Sequence, residues 1–187
     1  MKTMSQQVSQ PQGAQMGKRI AAIAALAGAL LAGAPARAET PTATPAPTET
    51  SSTHDDWTVR CKPEAKGRSC EAVQTLQTED LKNILAHMAV RAIKDGPVYL
   101  IVQVPPGVWL PANVTFKVGG VPDLVLTYKR CGQSCIASIQ LEPAQVAALK
   151  ASAGKGELLF ENGSRNPVIL PISFKGLGEA MTAALNK

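Results

Sequence analysis

Aromatic side chains are scarce in this 187-residue chain, at 4% of positions, and histidine occurs only twice. No G-x-S-x-G elbow, H-E-x-x-H pair or Gly-rich phosphate loop occurs, so the hydrolase, zinc-peptidase and nucleotide-binding signatures are missing. The longest apolar stretch, IAAIAALAGALLAGA at 20–34, has fifteen residues rich in Ala and Gly. That falls short of the roughly 20 strongly apolar residues a membrane-spanning helix needs. An excess of one charge is lacking too, once the N-terminus is set apart. The whole chain carries a net +5, but Lys2, Lys18, Arg19 and Arg37 all precede residue 39 and no acidic residue does. Fifteen basic and fourteen acidic residues remain, a net of +1, and the case for a nucleic-acid partner goes with the lost charge.

What the N-terminus does have is the layout of an export signal. Lys18 and Arg19 precede the apolar run, and Ala36-Arg37-Ala38 follows as a small-x-small cleavage site. Residues 1–38 are therefore expected to be a signal peptide, with Glu39 opening the mature chain; the stretch from Met16 reads as a complete signal by itself. No cysteine lies between the run and Cys61, which argues against a lipid anchor. Residues 39–55, Pro/Thr-rich and without periodicity, are expected to be a disordered linker, because they hold too little apolar surface to offset ordering entropy. The folded domain then spans 56–187, enough for one real core and no stable membrane span. The expected location is the periplasm, extending to the outer membrane or beyond the cell.

Four cysteines remain, Cys61, Cys70, Cys131 and Cys135. In an oxidising compartment an even count reads first as disulfides, with three connectivities open to four cysteines. Geometry favours the local pairs. Cys131 and Cys135 flank Gly132-Gln133-Ser134, an ordinary hairpin connection, and facing residues of an antiparallel pair fall within disulfide reach. Two other readings stay open. Redox thiols usually sit in C-x-x-C at a helix N-terminus, and structural zinc usually takes tight C-x₂-C pairs; neither spacing is present.

The periodicity predicts strands over 57–61, 69–76, 97–105 and 113–120, then the hairpin LVLTYKRC–CIASIQL and a strand–turn–strand over 157–174 with Asn162-Gly163 as its turn. Val114, Phe116 and Val118 should share one face. Helices are expected over 143–154 and at the C-terminus. In the segment 78–96, Leu81, Ile84, Leu85, Met88 and Ala92 recur at helical spacing, although a strand over 84–93 is also allowed. The fold class is mostly β, an antiparallel sandwich with one or two short helices.

The motifs WTVRC (57–61) with Cys70, VPPGVWLPANVTFKV (104–118), YKRCGQSCIAS (128–138) and VILPISFKGLGEAM (168–181) resemble, in order and spacing, those of the invasion-associated locus B family, small exported proteins of alphaproteobacteria. The chain departs from the family pattern at Asn113 and Ser134, where Gly is usual, and at Ser173-Phe174-Lys175-Gly176-Leu177, which replaces Ser-Leu-x-Gly-Phe. The resemblance implies an immunoglobulin-like β-sandwich with local disulfides and a strand at 84–93. It also implies a link to host-cell entry, which in some pathogenic relatives means entry into red cells.

Few side chains invite chemistry. His54, beside Asp55 and Asp56, is expected to be solvated, with a metal site at the HDD cluster as the weaker reading. His87 is expected to be partly buried, and Ser173 an ordinary strand position. Trp57 is expected to plug the core. Trp109, between Val108 and Leu110 in a proline-flanked loop, is either a loop anchor or a partner contact, since interfaces are enriched in Trp. The reading that results is a non-enzymatic envelope protein with no catalytic, cofactor or metal residues, acting on an unidentified envelope or host protein. The alternative is a periplasmic thiol-redox, metal-binding or other enzyme whose site is dispersed.

Overall fold

The computed structural model describes residues 48–65, 67–93 and 96–186. The expected signal peptide and most of the linker lie outside these residues. The linker is shorter than 39–55 in one respect. Thr50–His54 forms strand β1, because its backbone pairs with the strand after it, Ser52 facing Val59 and His54 facing Trp57. Low apolar content did not prevent order here, since ladder hydrogen bonds rather than side-chain burial hold an edge strand.

Nine more strands follow: β2 Trp57–Glu64, β3 Gly67–Gln77, β4 Ile84–Ala92, β5 Val98–Val104, β6 Val114–Lys117, β7 Leu124–Cys131, β8 Cys135–Leu141, β9 Lys155–Glu161 and β10 Pro167–Ser173. A 3₁₀ turn, Leu110–Ala112, precedes β6, and helices α1 (Pro143–Ala151) and α2 (Leu177–Leu185) complete the chain. All pairings are antiparallel, in the order β1-β2-β3-β4-β5-β8-β7-β6-β9-β10. The mostly-β expectation holds. The two layers are arms of one curled sheet that share β7, whose first residues pair with β6 and whose last pair with β8.

Within the 78–96 segment, Ile84–Ala92 is the strand β4, as the family resemblance implied and against the segment's helical spacing. Ala86, Met88 and Val90 alternate into the core and are fully buried, whereas Leu81 and Ile84 of the apparent helical face are exposed. Pairing on both sides, with β3 and β5, outweighs local propensity. In β6, Val114 and Phe116 point inward as their alternation predicts, and Val118 just beyond it is buried too. Helix α1 starts on a capping box, Glu142 and Gln145, with Pro143 at its first turn. It ends at Ala151, before the expected Gly154 stop.

One core runs through both layers. Trp57, Phe116, Phe174, Met88, Leu100, Leu126 and Leu158 are fully buried in it, and α2 adds Leu177, Ala180, Met181 and Ala184 at helical spacing. Gly176 permits that seating. Its φ is 82°, and a Cβ there would lie 2.0 Å from the His54 carbonyl oxygen.

The curl closes where the end of β10 returns to β2 and β3. Gln74 is the buried polar side chain of the described core. Its Nε2 donates to the carbonyls of Ser173 at 3.1 Å and Asp56 at 3.2 Å, and its Oε1 accepts from the Ser173 N–H at 3.3 Å. The Trp57 Nε1 donates to the same Ser173 carbonyl at 2.8 Å. Ser173 Oγ donates to Asp56 Oδ2 at 2.5 Å and accepts from the Lys175 N–H at 3.2 Å. Ser173 is therefore not an ordinary strand position but the residue at which the sheet is joined. Replacing Gln74 by Leu leaves the backbone groups of Ser173 and Asp56 without these partners. We expect Gln74→Leu to lower unfolding free energy by about 3 kcal/mol, read from the midpoint of a urea titration.

Candidate functional site

The cysteines pair locally. Cys61 faces Cys70 across β2 and β3, and Cys131 faces Cys135 across β7 and β8; both pairs are disulfides. No cysteine is free among the described residues, and all four lie on strands rather than at a helix N-terminus.

The histidines are apart from each other and from the cysteines' chemistry. His54 is less exposed than expected. Its Nδ1 lies 3.7 Å from Glu179 Oε2 and its Nε2 3.3 Å from Ser52 Oγ. Of its neighbours, Asp55 pairs with Lys175 at 2.9 Å and Asp56 bonds Ser173. Among the described residues, no three His, Cys, Asp or Glu side chains converge as metal ligands would. His87 is half-buried on the outer side of β4, with Nδ1 2.8 Å from Thr75 Oγ1.

Trp57 plugs the core as expected. Trp109 lies on an anchored loop. The loop that carries it is clamped to the β9–β10 turn: the Gly163 N–H donates to the Gly107 carbonyl at 2.6 Å and the Trp109 N–H to the Glu161 carbonyl at 2.8 Å. Val108 bridges to Asn162 and packs on the core. The chain is extended at Trp109, so successive side chains point to opposite sides and the indole faces outward. There it is half-buried, with the Arg165 guanidinium carbon 4.2 Å from the ring centroid. This is cation–π stacking geometry. The turn that presents Arg165 is organised by Asn162, whose Oδ1 accepts from the Ser164 and Asn166 N–H groups, both at 3.0 Å. Leu110 follows, 47% exposed.

Sequence reasoning singled out Trp109 but missed Arg165. The cation is 56 residues away in sequence, and it reaches the ring because its backbone adopts φ 63°. The loop presents an aromatic plane stacked with a guanidinium, followed by the exposed Leu110.

Asn113 has φ 59° and ψ −169°, a backbone region that essentially only Gly occupies without strain. Gly is the residue the family pattern has at this position. Asn113→Gly should raise stability by about 1 kcal/mol, measured as a higher thermal midpoint. A second prediction concerns pH. Burial holds His87 below the ordinary histidine value of 6.5; the Arg60 cation pushes the same way and Glu71 opposes. The unfolded chain therefore takes up this proton more readily than the folded one. The contribution to stability is full above 6.5 and is lost as pH falls through the lower folded value. The thermal midpoint should drop between about pH 7 and pH 5, and less steeply in His87→Gln.

The chain matches the family model described as invasion associated locus B protein over residues 57–185. An invasion protein B homolog of Brucella abortus (strain 2308) is 27% identical over 130 residues, covering 69% of this chain and 75% of the relative. The homolog from Brucella abortus biovar 1 (strain 9-941) matches to the same extent. The crystal structure of invasion associated protein b from Bartonella henselae has the same fold, with a TM-score of 0.63, 20% identity, and coverage of 72% of this chain and 94% of that one. None of these descriptions indicates an enzyme. The matched span holds both disulfide hairpins, the Trp109 loop and, at Trp57, Gln74 and Ser173, the junction that closes the sheet. This chain belongs to the invasion associated locus B family.

Proposed function

We propose that this protein is an exported, non-enzymatic component of the cell envelope that acts by binding another protein through the surface around Trp109 and Arg165. The observation that carries the reading is the stacked pair itself. Trp and Arg are the residues most enriched in binding hot spots, and here they meet on an outer surface, on a loop immobilised by backbone hydrogen bonds to its neighbour. A loop anchor has no need of an outward-facing ring covered by a cation. Rigidity before binding lowers the ordering cost that association would otherwise incur.

The export signal read in the sequence supports a location in the periplasm, at the outer membrane or outside the cell. The disulfides agree with such a location, since they persist in oxidising compartments. The partner is an envelope protein or, where the organism meets a host, a host protein; the descriptions of the relatives as invasion proteins favour the second.

The test is photo-crosslinking in intact cells from a reactive residue at Leu110. We expect a discrete crosslinked partner that disappears in Trp109→Ala and weakens in Arg165→Ala, while both variants unfold within about 1 kcal/mol of the parent. A Trp109→Ala protein that fails to fold would make the ring a loop anchor. Unchanged crosslinks in a folded Trp109→Ala protein would remove the surface from the function.

A further inference from the structure

The outer side of the β7-β6-β9-β10 layer carries a row that no other element among the described residues covers. Val125, Thr115, Leu159 and Ile169 face one another in register across the four strands. Val125 and Ile169, at the two ends, are 49% and 54% exposed. The next row holds Lys117 opposite Glu157 on the two central strands, 3.9 Å apart and both about half exposed.

The edge of this layer is closed to strand addition. Ser173 turns its N–H and C=O away from β9, toward Gln74 and Trp57. Backbone direction alternates along a strand, so positions 167, 169 and 171 also point outward. Two of these are Pro167 and Pro171, which have no N–H to give. Prolines at such positions block edge pairing. Anything that covers Ile169 must approach the face of the layer instead.

We infer that this face is an interface between two copies of the chain, related by a two-fold axis that runs between β6 and β9 along the strand direction. The face is complementary to itself. That rotation lays β6 on the partner copy's β9 and β7 on its β10. Val125 then meets the Ile169 of the second copy, Thr115 meets Leu159, and Lys117 meets Glu157, each contact occurring twice. Val125 opposes Ile169, the Thr115 methyl opposes Leu159 and each lysine opposes a glutamate, the self-matching an isologous interface requires. The layer is only four strands wide, at about 4.8 Å per strand, so the buried area is near the lower end for specific interfaces. The association is a reversible monomer–dimer equilibrium, not a permanent dimer.

Sedimentation equilibrium on the protein, purified as its host produces it, tests this. A concentration-dependent dimer is expected, weakened more than about tenfold by Ile169→Lys, by Lys117→Glu and by Glu157→Lys. Each charge reversal also breaks the ion pair within its own chain. An equimolar mixture of Lys117→Glu and Glu157→Lys does not mend those internal pairs. It does restore opposite charges at both contacts between copies, so the mixture should dimerise to within about threefold of the parent. A chain that stays monomeric up to about 1 mM, a dimer indifferent to the single substitutions, or a mixture that remains monomeric would each overturn the interface.

Discussion

The structure depends on one junction, the seam where Ser173 meets Gln74, Trp57 and Asp56. Among the described residues the strands are otherwise hydrogen-bonded mainly to their neighbours along an antiparallel ladder, and such a ladder alone specifies only a sheet. The seam makes the ladder return on itself. It uses hydrogen bonds rather than another ladder, and a buried amide suits it because one side chain can donate and accept at once. Burial also makes the seam demanding, since a polar group in that position is costly unless it is fully paired. Trp57 is fully buried at this closure, its indole N–H bonded to the Ser173 carbonyl.

Much of this was legible in the residues. Alternation placed Val114, Phe116 and Val118 inward, and cysteine spacing with Gly132 marked the β7–β8 hairpin. These signals are local: each needs a window of about ten residues and a rule about alternation or turns. The segment at 84–92 was misleading because small and apolar residues fit both periods, and only the flanking strands decide between them. The seam was not legible. Gln74 in isolation is a polar residue in a strand, and Ser173 a serine in another, 99 positions away. The same holds for the candidate contact surface, where Trp109 stands out by rarity while Arg165 is one of many cations until the turn directs it to the ring.

The two outer surfaces divide the molecule's sociable features. The loop end presents a rigid aromatic and cationic pair, the surface proposed above for a protein partner. The outer layer presents a flat, self-matched row suited to a copy of the same chain. Pro167 and Pro171 guard the edge beside that face, since a paired face is satisfied by one partner whereas a free edge can add strands without limit.

The two disulfides each close a short hairpin, with sequence separations of 9 and 4. Neither spans the seam. Each can therefore be oxidised as soon as its hairpin forms, and correct pairing needs no long-range search, because the right partner is the nearest thiol. The seam, by contrast, joins residues 99 and 116 positions apart, and contacts of such range are the slow ones in β proteins. The covalent chemistry of maturation is thereby uncoupled from the slow step. An oxidant meeting the emerging chain would lock two turns early, and the sheet would then curl around them without a disulfide isomerase to correct it.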